Sequence, residues 1–402
     1  MAIKITYQGP NRSSNYAYAA ALHHAGALHA FVSGFSRLSP RAKLIDVGPR
    51  LKRHDFWQTL YVGSLKLPLP SFVSTWLNRR SGRRLDAASY NWAKDSDAFI
   101  FYRTQGLRTS RRLHRQGART LCILEEVNSH VEYAREILHR EYQRLGLAQP
   151  FEEEPDHHLR LQAYDEADYI LCPSDFVVNS FLAKGFASER LIKVNFGFPP
   201  LEAGAAEAKP EGVFRVLYVG QLNYRKGLHY AVEAFRQLQH PHKEFIVVGP
   251  ETPVTGLEKT DIPPGVIFTG ALKGEALKAQ YRAASCFVLP SLEEGLALVQ
   301  SEALAFGLPL LTTTNTGGTD LIIDGQEGFI VPPADAEALR QKLQLLADDP
   351  ALLARMAAAA TRTARTFDTW DVAGQRLVAE VTARVAARTT RPRLHLSSVA
   401  VA

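Results

Sequence analysis

Cysteine and methionine are scarce in this chain of 402 residues, at three and two, and that scarcity narrows the chemistry open to it. Cys122, Cys172 and Cys286 each sit in a short apolar run, lack metal-ligand spacing and are odd in number, which argues against a disulfide framework and a zinc site. Buried, reduced thiols are expected instead. No stretch approaches 18 consecutive apolar residues, so no membrane-crossing helix is expected. The chain passes from Met1 into a strand-like run at residues 3–7 without an apolar leader core, and a cytoplasmic location is expected. Acidic residues are rare in the first 120 positions. That segment holds 20 Lys+Arg against 5 Asp+Glu, a balance of +15, while the remaining 282 residues balance at −9. Aromatics do not interleave Arg103, Arg108, Arg111, Arg112, Arg115 and Arg119, so no nucleic-acid partner is expected. The helical spacing of Arg108, Arg111, Arg112 and Arg115 makes one basic face. With Arg79, Arg80, Arg83 and Arg84, it is expected to meet an anionic membrane surface.

What is present is an ordinary globular composition, 46% hydrophobic and 22% charged, long enough for two domains with full cores. Strand-like runs at residues 3–7, 98–102, 120–124, 169–172 and 192–196 alternate with helical patterns. After a break rich in Ala, Glu, Gly and Pro the rhythm restarts at 214–219, 245–248, 266–268, 286–289, 310–313 and 329–331. Such alternation predicts doubly wound parallel sheets. The expected organisation is an N-terminal Rossmann-like domain at 1–198, a linker at 199–212 and a second, C-terminal Rossmann-like domain at 213–368. A helix at 369–388 and a flexible tail at 389–402 complete it.

Two carboxylates eight positions apart, Glu294 and Glu302, are the most informative pair. After the apolar run 286–289 and the Pro290-Ser291 punctuation, a helix is predicted from about 297 to 306, closed by Gly307 and Pro309. Glu294 then lies in the loop and Glu302 on the helix. A loop feeding a helix start offers free amides and a positive dipole end. Glutamates there repel phosphate, so hydroxyls suit them better. Upstream, Val216-Leu217-Tyr218-Val219-Gly220 reads as a strand and tight turn, followed by Arg225, Lys226 and Gly227. Two adjacent cations after such a turn suit a pair of phosphates.

In order along the chain these segments, with Gly317-Gly318 and the later run 324–331, resemble the retaining glycosyltransferases of family four. The match is to that family's E-x7-E signature, diphosphate-binding loop and late glycine turn. It covers residues 213–350 specifically and 120–198 loosely. The resemblance implies the GT-B architecture: an α/β fold of two Rossmann-like doubly wound parallel-sheet domains facing a cleft, with a C-terminal helix crossing back to the N-terminal domain. It also implies transfer of a sugar from a nucleotide diphosphate sugar, of unspecified base, to a hydroxyl acceptor. That acceptor would be a glycan, glycolipid or small molecule, in bacterial-type polysaccharide or glycolipid synthesis.

In this reading Arg225 and Lys226 hold the diphosphate beside Gly220, Glu302 accepts from the ribose, and Glu294 binds sugar hydroxyls. The backbone of Gly295, Leu296 and Leu298 lines the donor. Pro250 and Glu251 mark the nucleobase edge. His130, after the loop 127–129, joins Glu294, Arg225 and Lys226 as a catalytic candidate through a hydrogen bond to a sugar hydroxyl or the acceptor. No permanently bound cofactor and no metal are implied, since no Asp-x-Asp pair stands in a donor loop. Gln221 stands where many relatives carry arginine, and Ala297 where many carry glycine. Two alternatives stay open: a nucleotide-sugar-binding protein without transfer, and a GT-B phosphorylase or epimerase. From the basic N-terminal half, a peripheral place at the inner face of the membrane is expected.

Overall fold

Short apolar runs punctuated by turn residues form the strands of two sheets in the computed structural model of the chain. Residues 2–10, 14–39, 47–65, 67–147, 155–198, 212–250, 257 and 262–388 are described. The expected linker up to residue 211, the tail at 389–402, residues 11–13 and Glu251 lie outside them.

The first sheet comprises β1 (Ile5–Gly9), β2 (Leu28–Ser33), β3 (Leu51–Arg53), β4 (Ala98–Tyr102), β5 (Leu121–Glu125), β6 (Tyr169–Cys172) and β7 (Leu191–Lys193). Its order is β3-β2-β1-β4-β5-β6-β7, with β1 parallel to both β2 and β4. The second comprises β8 (Phe214–Val219), β9 (Lys243–Val248), β10 (Val266–Gly270), β11 (Cys286–Leu289), β12 (Leu310–Thr313) and β13 (Gly328–Val331). Its strands run parallel in the order β10-β9-β8-β11-β12-β13. In chain order the helices are α1 (Ser14–His24), α2 (Phe56–Ser64), α3 (Ser71–Ala93), α4 (Leu107–Arg115), α5 (Val131–Arg144), α6 (Pro155–Glu166) and α7 (Asp175–Leu182). They continue with α8 (Leu228–Gln237), α9 (Glu275–Ala283), α10 (Leu298–Ala305), α11 (Ala336–Asp348), α12 (Pro350–Ala364) and α13 (Trp370–Ala386).

The chain forms two compact units. One holds Met1–Ile123, Glu166–Asp168 and the described residues from Gly374; the other holds Leu124–Asp165 and Tyr169–Ala373. In the first, β1 is wholly buried, and Tyr7 stacks on Phe31 with ring centroids 5.9 Å apart. Asp86 of α3 accepts the Arg108 and Thr109 amides at 2.9 Å, filling the donors exposed at the start of α4. Gly374 of α13 lies so close to α1 that a Cβ there would overlap Ala21.

In the second unit β11 and β12 are buried along their whole length, as strands covered on both faces must be. Helix starts carry the expected caps. Asp335 accepts the Ala338 amide at 2.8 Å, and Asp349 accepts the Leu352 amide at 2.9 Å with Pro350 as the first helical residue. The chain leaves β8 outward to β9 and β10 and returns to pair β11 with β8. That reversal is a topological switch point, where the loops after two neighbouring strands diverge and leave room for a ligand.

All three cysteines are free and buried, as expected. The structure adds two strands that the sequence rhythm passed over. β3 is three residues long, and two of them are the cations Lys52 and Arg53. β2 follows α1 after the short Ala25–Ala27 turn, inside an alanine- and histidine-rich stretch without a clear period.

Candidate functional site

The loop after β8 is shaped by a side chain and a glycine. Asn223 accepts the Lys226 amide at 3.1 Å, folding Tyr224–Lys226 into one 3-10 turn. Gly227 closes it at φ +65°, and a Cβ there would overlap the Pro290 carbonyl oxygen. Only glycine meets both demands. The loop after β8 is thereby pressed against the loop after β11, and the Leu292 amide donates to the Arg225 carbonyl at 2.9 Å. Gly220 is fixed from the other side, its amide bonded to the Val248 carbonyl at 2.9 Å.

Charge is concentrated where these loops meet. Arg225 Nη1 donates to the Glu293 carbonyl at 3.0 Å and to Glu293 Oε2 at 3.2 Å, and lies 3.4 Å from Glu294 Oε2. Lys226 Nζ bonds Glu294 Oε2 directly. Glu293 faces away from solvent, its Oε1 accepting from the Ser129 amide at 3.0 Å and the Ser129 hydroxyl at 2.7 Å. The two adjacent glutamates thus divide the work: Glu293 ties down the loop of residues 127–130, and Glu294 answers the lysine. Burial, then the like charge of Arg225, pulls the Lys226 ammonium down to about 7, with Glu293 opposing. Glu294, in direct contact, acts in the same opposing sense.

The start of α10 completes the site. Ala297 precedes the helix and offers no side-chain cap, so the first-turn amides lack that usual partner. Gly295 cannot carry a Cβ without striking the Val127 carbonyl, and Gly317, at φ +73°, is held against the Gly295 carbonyl in turn. Ser174 Oγ donates to that same carbonyl at 2.7 Å. Beneath the turn, Gln300 accepts from Thr312 at 2.7 Å and donates to the Thr316 carbonyl at 2.9 Å. Leu296 is buried and Leu298 opens the helix.

Glu302 lies one turn further along α10. Its carboxylate accepts from the Tyr281 hydroxyl at 3.0 Å, and Tyr281 stacks nearly flat on Phe306. Burial raises the Glu302 pKa, with the Tyr281 bond opposing. His130 caps α5, accepting the Glu132 amide on Nδ1 at 3.2 Å. Its ring packs among Tyr164, Phe181 and Phe186. Burial, aided by Lys184, Arg160 and His157 against Glu126, lowers its pKa to about 4. The imidazole is therefore neutral near pH 7. With Nδ1 accepting, the proton sits on Nε2.

Gly220, Arg225, Lys226, Glu294 and Gly295 are thus drawn to the two adjoining loops, whereas Glu302 is held by α9 and His130 by an aromatic cluster. Two contributors, Glu293 and Gln300, escaped sequence reasoning. The doubled glutamate was the available signal for the first, and Gln300's place two residues before Glu302 for the second.

Residues 199–363 match the profile of a protein family described as Glycosyl transferases group 1. Over 197 residues the chain is 34% identical to glycogen synthase of Mycobacterium tuberculosis, a match covering 47% of this chain and 48% of that relative. The chain spans about half the length of the curated relatives it matches first. Among solved structures it is similar to sucrose-phosphate synthase from Thermosynechococcus elongatus, with TM-score 0.70 and 19% identity over 96% of this chain and 100% of the other. It is also similar to Anabaena HepE in complex with UDP-glucose, with TM-score 0.63 and 16% identity over 95% and 100%. At these identities the likeness is one of fold. The fold is GT-B, built on two parallel-sheet α/β domains of seven and six strands.

Proposed function

We propose that the chain is a retaining, metal-independent glycosyltransferase that moves a sugar from a nucleoside diphosphate sugar to a hydroxyl acceptor. The observation that carries this reading is the pairing of Arg225 and Lys226 with Glu293 and Glu294 at the β8–β11 switch point. Two cations a few ångströms from two carboxylates form a site in which counter-ions can exchange. An arriving diphosphate displaces Glu294 from Lys226, and the freed carboxylate turns to the hydroxyls of the sugar. Donor binding and sugar recognition are then one event.

As the glycosidic bond to the β-phosphate breaks, negative charge grows on the leaving diphosphate. Lys226, Arg225 and the uncapped amides at the start of α10 meet it without reorganising. These groups supply what a metal would otherwise supply, which is why metal independence is proposed. The acceptor hydroxyl forms its new bond on the face the leaving group vacates, and a phosphate oxygen takes its proton. His130, neutral and with Nδ1 engaged, serves as an Nε2–H donor to a hydroxyl rather than as a base. Glu302 receives the donor ribose. Because HepE, a structural neighbour, was solved with UDP-glucose, uridine diphosphate sugars are the first donors to try.

The basic first unit is proposed to serve the acceptor and to hold the protein, cytoplasmic, against an anionic membrane in polysaccharide or glycolipid synthesis. Thermal denaturation with a panel of nucleoside diphosphates and their sugars tests the donor reading, with Glu302→Ala as control. Ligand at 100 times its Kd adds about 2.7 kcal/mol. Stabilisation of wild type by one base family but not of the variant is expected; no response to any donor would sink the reading. The anomeric configuration of the product, read by NMR, tests retention.

A further inference from the structure

The α2–α3 hairpin of the first unit is unlike the rest of the surface. Between Asp55 and Asp86 the chain holds no acidic residue, while Lys66, Arg79, Arg80, Arg83 and Arg84 fall in that interval. Exposed large hydrophobics elsewhere among the described residues stand singly, but here they crowd together. The connecting segment alternates Leu65, Leu67 and Leu69, and the next helix opens with Phe72, 71% exposed, followed by Trp76, 53% exposed. At 100° per residue, positions 72, 76, 79 and 83 of α3 share one face. That face therefore grades from apolar near the turn to cationic farther along. The Arg80 guanidinium lies over the rings of Trp57 and Trp76, at 4.8 and 5.6 Å. A cavity of about 450 Å³ opens at the base of the hairpin, lined by Arg37, Arg53, Arg84, Asp55, Phe56 and Trp57 among others. Asp55 is bonded to Arg37 at 2.8 Å, so the lining keeps a net positive charge.

We propose that this hairpin docks the protein on an anionic bilayer, with the leucine turn and Phe72 in the acyl boundary and the arginines among the headgroups. The cavity would receive a headgroup phosphate. Leucines at a tip, tryptophans behind them and arginines behind those follow the polarity profile of a membrane interface. A second copy of the chain fits the face poorly, because a two-fold contact would set cations against cations with no carboxylate between. The arginine face of α4 is less available than its spacing suggests. Arg112 stacks on Tyr90 at 3.6 Å, and Arg111 lies 3.6 Å from Glu166. Among the described residues no helix is long and apolar enough to cross a membrane, so docking here is interfacial.

This deepens the membrane part of the proposed function and is independent of the transfer chemistry. The test is flotation of the full chain with phosphatidylcholine vesicles, with and without phosphatidylglycerol. Binding is expected only with the anionic lipid, accompanied by a blue shift of tryptophan fluorescence that Trp76→Phe diminishes. Each basic residue near the surface contributes roughly fivefold in partitioning, so Arg79→Gln with Arg83→Gln weakens binding by about 25-fold on that scale. Leu65→Ser, Leu67→Ser and Leu69→Ser together abolish the shift while leaving the melting temperature unchanged. Glu302→Ala, a donor-site variant, floats like wild type, which separates failure of this proposal from failure of the donor reading. Flotation indifferent to lipid charge overturns the proposal. So does a lipid-free dimer that the triple serine variant converts to monomer.

Discussion

The loops at the ends of β8 and β11 and the α2–α3 hairpin are both built around arginines and lysines, and they treat them in opposite ways. In the loops every named cation meets a carboxylate: Arg225 meets Glu293, and Lys226 meets Glu294. The backbone there is packed so tightly that Gly227 and Gly295 cannot bear a Cβ. In the hairpin the cations lie in thirty residues without a carboxylate, beside leucines and aromatics left in water. Paired, half-buried charges in a rigid frame favour one small anion that can displace a counter-ion and inherit its geometry. Charges without a carboxylate partner among the described residues, set beside exposed apolar groups, favour an extended, deformable anionic surface. The same residue types thus serve two kinds of recognition, and packing decides which.

Lys226→Ala tests that contrast most severely. If the loop cations are preorganised, turnover falls by roughly 10²–10³, measured as nucleoside diphosphate released. Turnover like wild type would make Lys226 a surface charge of the hairpin kind. Gly227→Ala probes the frame instead of the charge. Forcing a side chain against the Pro290 carbonyl should cost about 1–3 kcal/mol, seen as a lower denaturation midpoint.

Donor binding by the loop cations should also depend on pH. With Lys226 at about 7 in the free protein, the ammonium that a diphosphate needs is present below that pH and lost above it. Donor affinity should be flat on the acid side and fall by up to about tenfold per pH unit on the alkaline side. Lys226→Arg, whose charge persists, should flatten the curve. The smallest effect belongs to the hairpin. Leu67→Ser, at an exposed position, should change stability by no more than about 0.5 kcal/mol, read by denaturant titration.

Much of this was legible in the chain. The strands at 98–102, 169–172, 214–219, 286–289 and 310–313 coincide with the apolar runs that predicted them, because a strand buried on both faces must be apolar throughout. β3 was hidden for the converse reason, whereas β2, buried at every position but His29, was hidden by the histidine and alanine that interrupt its apolar run. β3 carries charge at two of three positions, and partial exposure lifts the demand for apolar residues that makes a strand visible.

In the site, Arg225, Lys226 and Glu294 were marked out by the family resemblance together with turn chemistry, and the structure sets them in contact. The inward role of Glu293 does not follow. Neighbouring glutamates are interchangeable on paper, and only the approach of Ser129, 164 positions away along the chain, decides which one is buried. His130 was legible as a residue beyond a strand. Its cap on the Glu132 amide is local, but the anchoring of its own amide on Ser180 and its packing against Phe181 and Phe186 are contacts that no local pattern encodes.

Arg225 and Lys226 are proposed as the seat of a donor diphosphate, with Glu294 as its stand-in. Calorimetric titration of UDP into wild type and Lys226→Ala at a pH just above 7 tests it most directly. Wild type should bind measurably with net proton uptake, and binding should be weakened by about 10²-fold or more in the variant. Equal affinity in the two proteins, with no proton taken up by either, would contradict it.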